Sequence, residues 1–321
     1  MIIAGDVGGT KFQLGAFEMQ QGKLHQIAKK RYASHLYTRA EDAIADFVQQ
    51  TNSKVTAACF DVAGPVVDNK VHATNLPWVM DGAGLAKFLA IPKVRLLNDL
   101  EATGYGLEVL EPNELEILQA GVPTRAANRA IIAAGTGLGE ALLFWDGRHH
   151  IPYATEGGHA GFAVQNELEV ELAQFMLRKY GRLEYEMLLS GRGFREIHDF
   201  LDAGVRHPDF DTAGADPAPE ITKNALEGTC PTCVRAVEIW IDIYGAEAGN
   251  LALHSLALGG IFVAGGIAAK ILPLLKKGKF VRAFSEKAKL GELLSRIPVS
   301  VVLNEDAPML GSAYVASLDA S

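Results

Sequence analysis

Apolar residues recur along this chain in short runs that predict strands, and several runs end in glycines. The first run is Ile2-Ile3-Ala4, which leads into Gly5-Asp6-Val7-Gly8-Gly9-Thr10 and then into roughly alternating residues from Phe12 to Phe17. Two strands joined by such a turn form a β-hairpin. Glycines leave backbone N–H groups uncovered, so the turn can wrap a phosphate, and Asp6 can meet a metal ion or its water shell. A tight hairpin without a ligand is the alternative.

A second stretch repeats this plan. It begins Ile131-Ile132-Ala133, passes through the turn Gly135-Thr136-Gly137 and returns as an apolar strand up to Phe144. The shared opening and the shared turn chemistry predict a duplication, with a phosphate chain held between two similar halves. A third run, from Ile261 to Ala264, ends in Gly265-Gly266 before a predicted helix, and that junction suits a nucleotide.

Two polar turns are candidates for binding a polyhydroxylated molecule. The predicted strand 94–97 ends in Asn98-Asp99, and ligands of α/β folds lie beyond the carboxyl ends of strands. Asn and Asp are also favoured helix caps, and a helix is predicted over 101–110. The turn Glu156-Gly157-Gly158-His159 places a carboxylate and an imidazole around a glycine pair, and this pattern can grip vicinal hydroxyls or form a plain surface turn.

The remaining pattern predicts alternating helices and strands. Apolar periodicity and breakers predict helices over 38–52, 85–89, 167–180, 221–226, 234–258, 267–275 and 309–318, strands over 22–35, 54–62, 66–72 and 299–303, and loops over 111–128 and 204–220. Within the long helix, Gly245 and Gly249 lie four residues apart, where a neighbouring element could pack closely.

Composition narrows the class of protein. The 321 residues suffice for two domains, and the net charge of −8 argues against general nucleic-acid binding. The uncharged stretch 248–269 is interrupted by polar residues and glycine pairs, so a buried helix and strand are expected rather than a membrane span. No targeting segment precedes the first strand, so we expect a cytoplasmic protein.

The three cysteines suggest no catalytic or metal role from sequence alone. Cys59 lies in an apolar run, while Cys230 and Cys233 form Cys-Pro-Thr-Cys where a helix is expected to begin. A structural zinc site needs four ligands, and no second Cys or His pair lies nearby in the sequence. We therefore expect incidental helix-start cysteines and no zinc, with a redox pair or a zinc site as the alternatives.

These parts match one chemistry. Glycine turns for phosphates, a carboxylate for a metal ion and a base near an acceptor hydroxyl are what phosphoryl transfer from ATP to an alcohol requires. The cysteine, serine and metal-cluster patterns of other hydrolytic or nucleophilic enzymes do not appear in these turns.

The chain resembles the bacterial glucokinases, of the hexokinase–Hsp70–actin ATPase superfamily. The resemblance runs from Gly5 to Ser312, and it is most specific in Leu97-Asn98-Asp99, Gly135-Thr136-Gly137-Leu138-Gly139, Glu156-Gly157-Gly158-His159, Glu186 with Leu189-Ser190-Gly191, and Ala264-Gly265-Gly266-Ile267. It implies an α/β, two-domain, ribonuclease H-like fold of the actin/hexokinase type with an interdomain cleft. Residues 1–110 with 304–321 would form the small domain, and 111–303 the large one.

The resemblance also implies a reaction and a set of site residues. The activity would be glucokinase, the first step of glycolysis, in a cytoplasmic homodimer that uses ATP, Mg²⁺ and glucose and binds no nucleic acid or membrane. Asp99 would be the general base for the 6-hydroxyl, and Asp6 would lie near Mg²⁺, through water. The nucleotide would contact Gly5, Asp6, Val7, Gly8, Gly9, Thr10, Gly135, Thr136, Gly137, Gly265 and Gly266. The sugar would contact Asn98, Asp99, Glu156, His159, Glu186 and Asn75, with the loop of Asn75 and Trp78 bordering it.

Two departures from the family pattern qualify these expectations. Lys11 stands where close relatives of the enteric enzyme often have Asn, which bears on nucleotide preference, and the zinc-binding cysteine cluster of a related repressor and kinase group is absent. The rival hypotheses are a kinase for another hexose or N-acetylhexosamine, a sugar-responsive regulator without catalysis, and an actin- or Hsp70-like ATPase. ADP and polyphosphate also stay open as donors.

Overall fold

The computed structural model describes residues 1–51, 54–73, 76–124, 126–202 and 216–319. The predicted loop 204–220 therefore lies largely outside the described residues, as does Asn75. The chain divides into two compact units. Unit 1 comprises Met1–Glu114, His150–Ala154 and Asn304–Ser321, and unit 2 comprises Leu115–His149 and Thr155–Leu303.

Unit 1 is built around a five-stranded sheet. Its elements are β1 (Ile2–Val7), β2 (Lys11–Gln20), β3 (Lys23–Ala33), α1 (Ala40–Thr51), β4 (Ala57–Val62), β5 (Lys70–His72), β6 (Val79–Asp81), α2 (Gly82–Leu89), β7 (Val94–Asn98), α3 (Asp99–Gly106) and, from the end of the chain, α13 (Ala307–Asp319). The strand order is β3-β2-β1-β4-β7, with β1 and β2 antiparallel and β1, β4 and β7 mutually parallel.

Side chains of the central strands alternate between two apolar layers, as a pleated strand requires. In β1, Ile3 and Val7 pack into a core shared with α1 and α2, while Ile2 and Ala4 pack into a core shared with α3 and α13. The sheet is therefore covered on both faces. Its parallel strands are near-continuous apolar runs, as is typical of such sheets.

The structure assigns further elements to the rest of the chain. These are β8 (Leu115–Gln119), β9 (Arg129–Ala134), β10 (Leu138–Trp145), β11 (His150–Thr155), α4 (Glu167–Tyr180), α5 (Tyr185–Leu188), α6 (Gly191–Leu201), α7 (Ala218–Glu227), α8 (Pro231–Ser255), β12 (Gly260–Ala264), α9 (Gly266–Lys270), α10 (Leu272–Leu275), α11 (Lys279–Ser285), α12 (Gly291–Ser295) and β13 (Val299–Val302). The second sheet has the order β11-β10-β9-β12-β13-β8.

The two sheets confirm the duplication that the repeated Ile-Ile-Ala openings predict. β9 stands where β1 stands, each paired antiparallel with the next strand and parallel with the strand on its other side. The orders β3-β2-β1-β4-β7 and β11-β10-β9-β12-β13 therefore correspond, and β8 is an addition at one edge.

The core of unit 2 surrounds α8. Trp240 and Tyr244 of this helix are fully buried, and Gly245 and Gly249 lie against α11. A methyl group on either glycine would overlap the backbone carbonyl of Phe280 or Phe284. The predicted close packing at this glycine pair is thus confirmed.

The sequence-based expectations miss several elements, among them β8 and α6. The stretch 111–128, predicted as a loop, contains β8, a five-residue edge strand with no fully buried side chain. Its burial is too shallow for a clear apolar pattern. The helix α6 was overlooked although Phe194, Ile197 and Leu201 recur at helical spacing. Among the residues the structure describes, no helix is both long and apolar enough to cross a membrane.

Close packing of α3 against α13 generates a stability prediction. A methyl group on Gly311 would overlap the backbone of Ala102, whereas one on Gly84, in α2, would meet only ordinary contacts at 3.8 Å or beyond. We expect Gly311→Ala to destabilise unit 1 by about 1–3 kcal/mol through overpacking. Gly84→Ala should be neutral or stabilising by up to about 1 kcal/mol, because alanine favours helices.

Urea unfolding of both variants and the parent chain checks this pair. Equal stabilities for Gly311→Ala and Gly84→Ala would show that α3 and α13 are not in close backbone contact.

Candidate active site

The first glycine turn presents backbone to solvent. The N–H of Gly8 donates to the carbonyl of Lys11 at 2.8 Å, and Ser34 Oγ donates to the carbonyl of Gly8 at 2.9 Å. Gly9 and Thr10, at the tip, are exposed. The turn is therefore held from one side, and its tip is open to an anion.

Two residues of this predicted phosphate loop, Gly5 and Val7, are buried in β1 and have a packing role. Gly5 is buried in β1, where a Cβ atom would lie 2.8 Å from the side chains of Phe12, Leu14 and Phe60. Val7 is also buried, within the same core. Packing thus accounts for glycine at position 5, and the solvent-facing part of the loop is Gly8 to Thr10.

Asp6 is accompanied by a second aspartate that sequence reasoning missed. Asp61 is the register partner of Asp6 on the neighbouring parallel strand β4, so both side chains point to the same face. Asp61 is fully buried, and the hydroxyl of Ser312 donates to its Oδ2 at 2.9 Å. The only sequence feature that could have identified Asp61 is its charge inside the apolar run 57–62.

Burial raises the pKa of Asp61 well above its usual range, and the neighbouring Asp6 carboxylate raises it further. Burial also raises the pKa of Asp6, against the opposing effect of Lys11. The Oδ1 atom of Asp61 finds no hydrogen-bond donor among the described residues. A proton on Asp61 that is donated to Asp6 satisfies both groups, and Asp6 is then the charged member of the pair.

Asn98 and Asp99 follow directly on β7 and begin α3. Asn98 caps the helix, because its Oδ1 accepts hydrogen bonds from the backbone N–H groups of Leu100 and Glu101 at 2.9 and 3.3 Å. Its amide also donates to the carbonyl of Gly64 at 3.2 Å. The capping alternative is therefore correct for Asn98, although it does not preclude a further contact with a ligand.

Asp99 is the first residue of α3 and is half-buried. Desolvation raises its pKa to about 6; the N–H of Leu100, which donates to Oδ1 at 3.0 Å, opposes that shift, and the charge of Asp6 adds to it. A carboxylate with this pKa is largely ionised at neutral pH yet basic enough to take a proton. Within unit 1, Asp6, Asp61 and Asp99 thus form one electrostatically linked group.

The loop predicted to border the sugar is described only in part, since Asn75 lies outside the described residues. Trp78 is buried, donates its indole N–H to the carbonyl of Tyr37 at 3.1 Å, and packs edge-on against Phe12. Its ring supports the loop from the core and is not presented to solvent.

In unit 2, the second glycine turn is closed by Glu186. The Oε2 atom of Glu186 accepts a hydrogen bond from the N–H of Leu138 at 3.0 Å and occupies the space that a Cβ on Gly137 would need. Gly135 accepts from the N–H of Gly191 at 2.9 Å and has open space where its side chain would be. The structure therefore brings Glu186, a predicted sugar ligand, to the predicted phosphate turn.

The glycine pair of the Glu156–His159 turn is required by close packing. A Cβ on Gly158 would overlap the carbonyl of Leu138, and one on Gly157 would overlap the carboxylate of Glu140. Thr155 Oγ1 donates to the carbonyl of Glu140 at 3.0 Å and holds the start of the turn. The turn is a 3-10 helix pressed onto β10, not a loose surface loop.

His159 is surrounded by carboxylates. Its Nδ1 lies 3.0 Å from Glu184 Oε2, and its Nε2 lies 4.0 Å from Glu156 Oε2. The hydrogen bond with Glu184 raises the pKa of His159, and Glu186 adds to that effect. The three predicted ligands Glu156, His159 and Glu186 therefore lie together, and Glu184 is a partner that the sequence pattern did not identify.

A buried pair of glutamates supports this turn from below. Glu140 and Glu247 face each other; burial raises the pKa of Glu140 to about 8, and Glu247 adds to the shift. The amide of Asn250 donates to Glu247 at 2.8 Å and to the Tyr185 hydroxyl at 3.2 Å. One proton shared by the pair avoids two buried charges, and the Glu140 carboxylate lies directly beneath Gly157.

The third glycine junction opens onto a cavity of about 960 Å³ within unit 2. Gly265 has a φ of +84°, and a Cβ there would overlap the backbone of Ala134, so only glycine fits. Gly266 begins α9 and faces open space. The cavity walls include Gly135, Thr136, Gly191, Arg192, Lys223, Gly266 and Lys270. Its volume suits a nucleoside-sized ligand, and its cations suit an anionic one.

A family model described as Glucokinase matches residues 3–319. The glucokinase of Nostoc sp. (strain PCC 7120) is 39% identical over 338 residues, and the match covers 99% of each chain.

Solved structures share the fold. A crystal structure of glucokinase from an Antarctic psychrotroph superposes with a TM-score of 0.88 at 26% identity, covering 99% of this chain and 98% of that one. A ROK family glucokinase from Streptomyces griseus, in complex with glucose and AMPPNP, superposes with a TM-score of 0.66 at 20% identity, covering 99% of each chain.

The buried glutamate pair predicts a pH dependence of stability. Because the folded chain holds the Glu140 proton from the ordinary pKa of 4.5 up to about pH 8, it binds more protons than the unfolded chain in that window. This contribution to stability is therefore full below pH 4.5 and is lost as pH rises towards 8. Glu140→Gln stays neutral throughout, so it should stabilise the chain at pH 8 by about 1 kcal/mol or more.

Urea midpoints measured from pH 5 to pH 8 test this. The wild-type chain and Glu171→Gln, an exposed change on α4, should share the falling trend, and Glu140→Gln should show a flatter one. The same slope in all three chains would contradict a shared proton at Glu140.

Proposed function

The chain belongs to the glucokinase family, and on this premise we propose that it transfers the γ-phosphoryl group of MgATP to the 6-hydroxyl of D-glucose. The product is glucose 6-phosphate. The observation that carries the proposal is Asp99, a carboxylate at the end of β7 whose pKa is raised to about 6 by desolvation. A base of that strength is suited to an alcohol acceptor at neutral pH.

The glycine-rich turns are assigned to the phosphate donor. In unit 2, the cavity beside Gly135, Thr136 and Gly266 receives the nucleoside, with Lys223 and Lys270 among the cations on its walls. Gly137 and Gly265 shape the turns that border it. In unit 1, the open tip from Gly8 to Thr10 receives phosphate oxygens. The Streptomyces griseus structure of the same fold holds AMPPNP, an analogue of ATP, and that supports this assignment.

The sugar is assigned to the polar turns. His159 and its carboxylate neighbours Glu156 and Glu186 offer hydrogen-bond donors and acceptors within one small area of unit 2. Asn98 and Asp99 do so in unit 1, and Asn75 joins them through the family resemblance. A polyhydroxylated ring needs such a mixed set, since each hydroxyl both donates and accepts.

In the reaction, Asp99 takes the proton of the 6-hydroxyl as that oxygen bonds to the γ-phosphorus and the bond to the ADP oxygen breaks. Asp99 is held for this role by the N–H of Leu100. Proton removal and exact placement of the acceptor are the main contributions a protein can make to phosphoryl transfer.

Asp6 is the residue that would hold Mg²⁺, through water. The fit is chemical: Asp6 offers carboxylate oxygen, which Mg²⁺ prefers, and its raised pKa reflects an anion that burial leaves under-stabilised. Magnesium, when bound, neutralises charge on the phosphates. Asp61, by donating its proton to Asp6, would keep Asp6 oriented and charged.

The wider assignment follows the same premise. Residues 1–110 with 304–321 would act as the small domain and 111–303 as the large one, in a cytoplasmic homodimer that supplies glycolysis with glucose 6-phosphate. Cytoplasmic location rests on the family resemblance. The homodimer rests on the family resemblance, and the molar mass in solution tests it.

ADP production with and without sugar tests the function directly. The proposal predicts turnover that depends on D-glucose, and a kcat/KM for glucose above those for mannose, fructose and N-acetylglucosamine. A higher kcat/KM for another sugar would transfer the assignment to that hexose. Rapid ATP turnover without sugar would favour an actin- or Hsp70-like ATPase, and failure to phosphorylate any sugar with ATP, ADP or polyphosphate would favour a regulator.

The Asp99→Asn variant tests the catalytic role. Asparagine keeps the shape and the acceptor oxygen that Leu100 N–H contacts, so folding and glucose binding should be largely retained. The kcat should fall by roughly 10²–10⁴, the usual contribution of a general base. In the wild-type enzyme, kcat/KM should fall as pH drops below about 6, because Asp99 then becomes protonated.

Glucose binding by calorimetry and a far-ultraviolet spectrum serve as controls for Asp99→Asn. A folded variant with near-normal kcat would remove Asp99 from the role of base.

A further inference from the structure

Three side chains of unit 2 with metal-binding chemistry lie together, apart from the candidate active site. They are His198, Cys230 and Cys233, and one ligand atom of each lies within 4.8 Å of the others. Among the described residues this is the one such group of three that meets this spacing. The sequence pattern did not identify this group, because His198 is far from the Cys-Pro-Thr-Cys segment along the chain.

Local structure holds both sulfurs on one side of the first turn of α8. Cys230 is the N-cap residue of the helix, and its Sγ accepts a hydrogen bond from the N–H of Cys233 at 3.4 Å. Pro231, at the first helical position, has the backbone angle that helix initiation requires. This C-x-x-C spacing is the one that zinc sites commonly use.

The imidazole is brought to the sulfurs by packing of α6 against α8. Phe194 of α6 stacks on Trp240 of α8 with ring centroids 4.8 Å apart, and both rings are buried. The hydroxyl of Thr232 donates to Asp202, the residue that caps α6, at 3.3 Å. Contacts other than the three candidate ligands therefore fix the two helices, so the ligands are gathered in advance.

The spacing is close to what a bound ion requires. With Zn–S bonds of about 2.3 Å, two sulfurs at a tetrahedral angle are separated by about 3.8 Å. Ligand atoms within 4.8 Å of one another thus need shifts of about 1 Å or less. Two sulfurs and an imidazole are soft or borderline donors, which favours Zn²⁺ over Mg²⁺ or Ca²⁺.

The histidine distinguishes a metal site from a disulfide and from incidental core cysteines. A disulfide between Cys230 and Cys233 needs only the two sulfurs, and incidental core cysteines need no imidazole beside them. His198 is 2% exposed and Cys233 is fully buried, whereas Cys230 retains some contact with solvent. A buried imidazole beside two thiols, with one side open to water, is the arrangement of a metal site with three protein ligands.

We propose that His198, Cys230 and Cys233 bind one Zn²⁺ ion, with water as the fourth ligand. Each thiol releases its proton on binding, so two protons leave for each ion bound. The ion joins the end of α6 to the beginning of α8. Because Arg192, Phe194 and Arg195 of α6 line the nucleoside-sized cavity, the site stabilises one wall of that cavity. The proposal is independent of the kinase assignment.

Metal content and spectroscopy of the reduced, tag-free full chain test the proposal. Zn²⁺ titration should give one bound ion per chain, and Co²⁺ should produce the sulfur-to-cobalt charge-transfer band of a thiolate site. Cys230→Ser should lower Zn²⁺ affinity by more than about tenfold. Serine is a favoured N-cap residue, so this variant should fold.

Cys59→Ala is the matched control, because Cys59 is buried in unit 1 outside the cluster. It should bind Zn²⁺ as the wild type does. Zn²⁺ should raise the melting temperature of the wild type and Cys59→Ala, and leave that of Cys230→Ser unchanged.

Three results would overturn the proposal. They are a wild-type chain that takes up no Zn²⁺, binding that survives intact in Cys230→Ser, and a denatured, unreduced chain with one free thiol in place of three. The last result would show a disulfide between Cys230 and Cys233.

Discussion

Burial of aspartates at the carboxyl ends of parallel strands is the constraint on which the rest of this site depends. β1 and β4 run in register, so Asp6 and Asp61 face the same layer, and burial penalises two neighbouring negative charges. A proton on Asp61 and the hydroxyl of Ser312 offset this penalty. What is left is one charged carboxylate, Asp6, whose field raises the pKa of Asp99. The same arrangement thus leaves an anionic carboxylate, Asp6, beside a second carboxylate, Asp99, whose pKa is raised.

In unit 2, burial likewise disfavours two neighbouring carboxylate charges. Glu140 and Glu247 are buried face to face, and the Glu140 carboxylate lies beneath Gly157 in the turn that carries Glu156 and His159. Because Gly157 and Gly158 have no side chains, this turn can pack directly on β10. At the second glycine turn, the carboxylate of Glu186 occupies the space beside Gly137. Glycine matters here mainly because of close approach, and only Gly265 among these turn glycines also needs a positive φ.

The sequence predicts those features of the fold that depend on local residue patterns. Alternation and glycine turns predict both hairpins, and the paired Ile-Ile-Ala openings predict the duplicated sheets. Asn98 and Asp99 could be identified because they follow a strand, although the pattern could not separate a cap from a ligand. The family resemblance supplied the roles of the site residues, which no spacing rule could give.

Contacts between distant residues lie beyond such patterns. Asp61 sits in a run that otherwise predicts a core strand, and its importance depends on register with Asp6. Glu140 lies at a buried position of β10, but its partner, Glu247, lies on α8. His198 meets Cys230 only because α6 packs on α8. In each case the decisive neighbour is remote in the chain, and pairing is set by tertiary packing.

Titration of the Asp99 carboxyl group is the decisive measurement. Carbon-13 NMR of aspartate-labelled protein can follow each side-chain carboxyl signal with pH, and the signal missing from Asp99→Asn identifies Asp99. We predict a midpoint near pH 6 for this group. A midpoint near the ordinary value of 3.8 would contradict it, because it would show that the strand ends of unit 1 do not desolvate Asp99.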